Sequence, residues 1–270
     1  MKLKLFPIIM LTGSLIAPSV YAEKEAKVFT NSIGMKFVKI KGGCFQMGDT
    51  FGEGADNEKP VHKVCVDDFY LGAYEVSQKE YQEIMGENPS YFKGENYPVE
   101  KVSWDDAQEF IRKLNARSNG VKYSLPTEAQ WEYAAREGGK RVRFGNGKDV
   151  IDPAEANFDC REENKESYSR AGEYRKTTVP VDSFSPNALG LYNMSGNVCE
   201  WCQDRYHDNY QGAPTDGSTW ETGGKGSVRV FRGGGWINLP GRVRAADRYW
   251  FRADLNNFFL GFRLSLVQHQ

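Results

Sequence analysis

The chain has 270 residues, 40% of them hydrophobic and 13% aromatic, which is enough apolar material for one large folded core. Its 35 basic and 36 acidic side chains leave a net charge of −1, so no one-signed field recruits nucleic acid or an anionic membrane surface. Twenty-eight glycines and six tryptophans indicate a loop-rich fold tied together by aromatic packing, without heptad or solenoid repeats.

Lys2 and Lys4 precede an apolar run from Leu5 to Ala17 and the small-residue stretch Pro18-Ser19-Val20-Tyr21-Ala22, the pattern of a secretory signal cut after Ala22. The run falls short of the roughly 18 apolar residues that a membrane span takes. No Cys follows the cleavage point to accept a lipid. The expected mature domain, residues 23–270, is therefore periplasmic or secreted and has no membrane span.

From Val28 to Val66 the pattern is β: Met35 to Ile40 alternates, Gly42-Gly43 turns, and Cys44 to Met47 continues. An oxidising compartment makes pairing the default for the five cysteines, Cys44, Cys65, Cys160, Cys199 and Cys202, with one left over. Cys44 and Cys65 lie in two strand-like runs, which predicts a cross-strand disulfide. The Gly- and acid-rich segment between Asp49 and Pro60 reads as a solvated loop.

Three helix starts share one device, a Ser or Thr cap with an acid or Gln three residues on that reaches back. They are Ser77 with Glu80, Ser103 with Asp106, and Thr127 with Gln130. In the second, Ala107, Phe110, Ile111 and Leu114 share a core-facing side. All three read as scaffold. Arg141 to Lys176 is polar and reads as an irregular surface excursion, after which Thr178 to Val181 restarts order.

The stretch from Gly190 to Asp204 interleaves two glycines, two asparagines, Glu200 and Asp204 with Leu191, Tyr192, Met194 and Trp201. It reads as a packed loop, neither helix nor strand. Gly and Asn admit left-handed backbone, and Asn, Glu and carbonyl oxygens suit a hard cation such as Ca²⁺. A buried turn held by side-chain-to-backbone hydrogen bonds accounts for the same composition. Cys199-x-x-Cys202 is open to a redox pair, a zinc pair or a structural pairing with Cys160. A polar excursion from Asp208 to Lys225 precedes the closing segment, Val228 to Leu264.

These blocks, taken in order, resemble the sulfatase-modifying factor family, whose best-known member is the formylglycine-generating enzyme. The resemblance is carried by Phe45-Gln46-Met47-Gly48, Tyr74-Glu75-Val76-Ser77, Val102-Ser103-Trp104, Leu125-Pro126-Thr127-Glu128 through Arg136, the loop at 190–204, Arg232-Gly233-Gly234 and Gly261-Phe262-Arg263. It implies one compact α+β domain of the C-type-lectin-like kind, with little regular secondary structure and a surface groove. It also implies a structural Ca²⁺ held by the Asn193 side chain, the carbonyls of Gly196 and Val198 and the Glu200 carboxylate. A second, looser calcium set maps to Asn157, Phe158, Glu173 and Arg175.

The resemblance breaks where the family's oxidase holds copper through two cysteines. Asn238 stands at the first of these positions, the neighbourhood of Val243 has no second, and Gly235 replaces the family's serine. Hard amide atoms do not replace a Cu(I) thiolate, so copper is not expected. His62, His207 and His269 are too few and too dispersed for the iron triad of the ergothioneine branch.

A further branch, the diversified variable proteins, uses the closing segment as a binding face. Here that interval carries Trp236, Asn238, Arg244, Tyr249, Trp250, Phe251, Phe258 and Phe259 as candidate binding residues. Tyr249, Trp250 and Phe251 cannot all point inward from an extended chain. The leading expectation is a calcium-stabilised binding or accessory module that takes a protein or small-molecule ligand in a groove lined by residues 236–260. The alternative is a periplasmic family enzyme with altered oxidative chemistry, of the pyoverdine-maturation kind; a formylglycine-generating oxidase comes third. Ionisable groups converging near Asn238, such as Asp247 and Arg244 with Glu200 or Glu132, would mark the enzyme.

Overall fold

The alternation read in the N-terminal third becomes five short strands: β1 (Val28–Thr30), β2 (Lys36–Ile40), β3 (Gly43–Met47), β4 (His62–Val66) and β5 (Phe69–Gly72). The protein, analysed as a computed structural model, is described over residues 28–118 and 120–268, so the expected signal at residues 1–22 lies outside the described residues. In β2 the side chains of Phe37, Val38 and Ile40 are buried while Lys36 and Lys39 face solvent. β3 and β4 pair antiparallel with Cys44 directly opposite Cys65, and the two form a disulfide, as the strand pattern predicts.

Each predicted cap is present. Ser77 precedes α1 (Gln78–Met85), Ser103 precedes α2 (Trp104–Arg117) and Thr127 precedes α3 (Glu128–Ala135), all three with reciprocal capping boxes. At α2, Asp106 N–H donates to Ser103 Oγ at 3.0 Å and Ser103 N–H donates to Asp106 Oδ2 at 2.9 Å. α2 lays Ala107, Phe110, Ile111 and Leu114 on the core, as its spacing predicts. α3 is different, being buried on every side. It is the hub of the molecule.

After β6 (Val121–Ser124) and α3 the chain has little regular structure until β7 (Cys199–Arg205), β8 (Val228–Arg232), β9 (Arg248–Arg252), β10 (Leu260–Gly261) and β11 (Ser265–Gln268). The last strand returns to the first sheet, inserting between β5 and β6 in the order β1-β2-β5-β11-β6. A second sheet runs β10-β7-β8-β9. The result is one compact α+β domain in which loops carry much of the chain.

Four expectations need correction. Residues 199–205, read as part of a loop, form β7, because they pair parallel to β10 and antiparallel to β8, partners distant in sequence. Cys160 pairs with neither Cys199 nor Cys202: all three are free and buried, each in a different apolar cluster. Strand alternation also puts Cys199 and Cys202 on opposite faces of β7, which removes the redox and zinc readings of that pair. The excursion at 141–176 is irregular but not merely superficial, since Phe144, Ile151, Ala156, Phe158 and Cys160 bury a small core with Val243. The segment from Asp49 to Pro60 is not simply solvated, because Glu58 is buried and Asp49 accepts four backbone N–H groups, from Phe51 to Gly54.

The Cys44–Cys65 bridge closes a loop between residues 21 apart in sequence. Replacing both cysteines with alanine is expected to lower stability by about 3 kcal/mol through a less restricted unfolded chain. Urea unfolding without reductant measures it, and coincident midpoints for the two proteins would refute it.

Candidate functional site

Two loops and three strands meet at the closing segment, and α3 positions them. Arg232, at the end of β8, donates to Glu128 Oε1 and Glu132 Oε2 at 2.6 Å each. Arg248, at the start of β9, grips Glu128 with two bonds, at 2.7 and 2.6 Å. Arg136 donates to Glu132 Oε1 at 2.8 Å. Burial pushes the Glu128 carboxyl up, and Arg248 and Arg232 more than reverse it, holding it below its ordinary value. The Thr127-Glu128 block is thus the buried anchor of both strands that flank the site.

The loop entering β7 is held from beneath. Glu200 takes two bonds from Arg263 at 2.6 Å and one from Trp131 Nε1 at 2.7 Å. Asn193 and Asn197 each donate an amide to Glu75 at 2.9 Å, and both adopt the left-handed backbone expected of them, with φ of 52° and 66°. Gly196, at φ 87°, has no room for a side chain: a Cβ there would lie 2.4 Å from Asn157 O. The fastening by side chains and backbone is therefore real.

The same loop also offers oxygen donors to a cation. Asn193 Oδ1 and the carbonyls of Gly196 and Val198 accept no hydrogen bond among the described residues, and Glu200 Oε1 accepts one. This is an all-oxygen donor set of the kind a hard cation takes. In the second set, Asn157 Oδ1 is buried without a partner. Segment 172–175 runs beside it, with Gly172 N–H donating to Cys160 O at 2.9 Å and Arg175 donating to Pro153 O at 2.7 Å. The donor chemistry of the first set suits a hard cation, and in the second set the Asn157 oxygen is left without a partner.

They do not fit copper. Asn238 Oδ1 closes its own turn by accepting Gly235 N–H at 2.8 Å and faces the Cys199 thiol at 3.6 Å. Val243, near where the second family thiol is expected, packs into the apolar cluster of Phe144 and Phe158. Cys199 stays a thiol, because burial pushes it well above its ordinary value and Asp247 and Glu200 push it further. Among the described residues no group of three His, Cys, Asp or Glu side chains is placed to hold a metal.

In front of Asn238 lies a cavity of about 170 Å³, lined among others by Cys199, Phe231, Arg242, Asp247, Tyr249 and Phe259. Its carboxyl is Asp247, pushed up to about 7 by burial and Glu58, against Arg244 and Arg242. Of the ionisable groups expected near Asn238, Asp247 lines the cavity and Arg244 lies behind it, bonded twice to Glu58 at 2.8 and 2.7 Å. Glu132 and Glu200 are held elsewhere by Arg232 and Arg263. Of the candidate binding residues, Phe251 and Phe259 line the cavity half-buried, and Trp236 is buried against Phe92, Tyr174 and Phe258. Tyr249, Trp250 and Phe258 remain 45, 44 and 38% exposed. Cys199, singled out from sequence only as half of the Cys199-x-x-Cys202 pair, and Phe231 and Arg242 were not among the expected binding residues; only the β10–β7 and β8–β9 pairings bring them to one place.

Residues 23–267 match the Sulfatase-modifying factor enzyme 1-like domain, and the chain belongs to that family. It is 32% identical over 248 residues to the chaperone protein LppX of Paenibacillus barcinonensis, covering 74% of this chain and 78% of that protein. It is 29% identical to the formylglycine-generating enzyme of Streptomyces coelicolor, with 84% and 87% of the two chains covered. Among solved structures it is similar to PvdO from Pseudomonas aeruginosa, with a TM-score of 0.75, 28% identity and 91% and 99% of the chains covered. It spans about two fifths of the length of the Chlamydia pneumoniae protein kinase pkn1, which it also matches. No described helix is long and apolar enough to cross a membrane.

Proposed function

We propose that this chain is an exported, calcium-stabilised family domain without the copper-thiolate centre, acting as a binding or accessory module through the cavity and aromatic rim of its closing segment. The observation that carries this reading is the substitution at the site itself: an amide fastened into a turn stands where the family's oxidase needs a thiolate. Around it Tyr249, Phe258, Leu239 and Tyr91 are exposed, a concentration of apolar surface that marks recognition rather than ordinary solvent contact, whereas Trp250, also exposed, lies on the other face of β9 against Tyr206. Calcium at Asn193, Gly196, Val198 and Glu200 would fix the loop that walls the cavity.

Purified residues 23–270, loaded with one equivalent of Cu(I) and supplied with oxygen, are expected not to convert a Cys-x-Pro-x-Arg peptide to its formylglycine form. Turnover above a copper-only blank would overturn the reading. One observation favours a second reading, an enzyme of altered chemistry: Asp247, a carboxyl whose upward shift suits proton transfer near neutrality, lines the cavity.

A further inference from the structure

The arginines around the cavity are not alike. Arg232, Arg244, Arg248 and Arg263 are buried and each makes at least two close bonds to carboxylates. Arg242 is loose. Its side chain is 47% exposed, it reaches Asp247 Oδ1 through one contact at 3.3 Å, and its guanidinium carbon lies 5.2 Å from the centre of the Tyr249 ring.

Those two contacts, a carboxylate and a ring face, are what a protein offers to an organic cation. The rest of the cavity repeats the theme. Phe231, Phe251 and Phe259 line it, with the Phe231 ring stacked on Tyr249 at 5.8 Å. Asp247 is the one carboxylate on that lining, and its Oδ2 accepts no hydrogen bond among the described residues. Arg244 sits 3.6 Å from Asp247 but is already bonded twice to Glu58, and Arg232 is already matched by Glu128 and Glu132. If Arg242 turns out to solvent, Asp247 and Glu58 face the single charge of Arg244, and Asp247 is left without a cation of its own.

We infer that the cavity is a site for an organic cation, an alkylammonium or guanidinium group, which displaces Arg242 from Asp247 and from the face of Tyr249. The inference rests on the proposed reading of this cavity as the ligand site and names the ligand's chemistry. A cation binds the carboxylate form of Asp247, so protons compete. With Asp247 pushed up to about 7, and with Arg242, Arg244, Arg232, Glu58 and Cys199 as the groups that face it, affinity rises with pH from 6 to 8.

The test is calorimetric titration of the mature protein with methylguanidinium and tetramethylammonium chlorides at constant ionic strength. Arg242→Ala is expected to bind several-fold more tightly than the unaltered protein, because the internal competitor is gone. In that variant affinity is expected to be at least tenfold higher at pH 8 than at pH 6: one carboxyl titrating near 7 gives about tenfold, and loss of Arg242, which holds Asp247 down, widens the ratio. Asp247→Asn in the Arg242→Ala background is expected to lose at least tenfold, and Tyr249→Leu, on the exposed rim, gives an independent loss should Asp247→Asn fail to fold. No cation binding by Arg242→Ala, or binding indifferent to both Asp247→Asn and Tyr249→Leu, overturns the inference. Benzoate separates the two levels: if it binds Arg242-dependently while the cations do not, the cavity reading survives and the cation fails; if neither class binds, both fail.

Discussion

Glu128→Ala is expected to destabilise the domain by roughly 3–5 kcal/mol, the loss typical of removing one partner from a buried ion pair. The Glu128 side chain is 3% exposed and binds two guanidiniums, those of Arg232 and Arg248, which are themselves fully buried. Deleting it leaves Arg232 with Glu132 alone and Arg248 with no carboxylate, in a region where Cys202, Trp131 and Tyr210 exclude water. Since a domain is stable by roughly 5–15 kcal/mol in all, the loss takes a large share. Urea unfolding monitored by tryptophan fluorescence checks it. Glu109→Ala breaks an ion pair of similar geometry with Arg112 on the solvent side of α2 and is the control, expected to leave the midpoint nearly unchanged. Equal effects for the two variants would mean that burial of the α3 network does not matter.

The second large effect is expected on removing calcium. A ligand held only by the native state adds RT ln(1 + [L]/Kd), about 2.7 kcal/mol at a hundredfold excess over Kd. Chelator-stripped protein is therefore expected to melt several degrees lower than protein in millimolar CaCl2, and Asn193→Ala to lose that difference. Asn193 also donates to Glu75 and Val181 O, and Glu200 also holds Arg263, so a variant at either lowers stability for a reason unrelated to metal, and the readout is the calcium-dependent difference in melting point rather than the melting point itself. A melting point indifferent to chelator and to added calcium would remove the ion from the account, leaving the loop to its amide and carboxylate fastenings.

Much of the local structure was legible because it is specified by neighbours in sequence. The capping boxes at Ser77, Ser103 and Thr127 involve residues three apart, and all three helices start where those residues say. The Cys44–Cys65 bridge follows from two alternating runs joined by one connection. The left-handed Asn193 and Asn197 follow from residue type. The role of α3 was not legible: its Glu128 and Glu132 answer arginines 100 to 120 positions away, and nothing in a helix of mixed polarity announces such partners. For the same reason β7 was read as loop, its partners β8 and β10 lying far along the chain.

By itself the sequence determined the family frame, its helix starts, its disulfide and the presence of Asn238 in place of a thiol, because each depends on residue identity or on short spacings. Only the tertiary structure decided that Cys199, Arg242 and Asp247 meet at one cavity, that Arg244 is held away by Glu58, and that half of the aromatic run stays in solvent. Those outcomes depend on strand register and on competition among several arginines for few carboxylates, and both are settled by distances between groups that the linear order keeps apart.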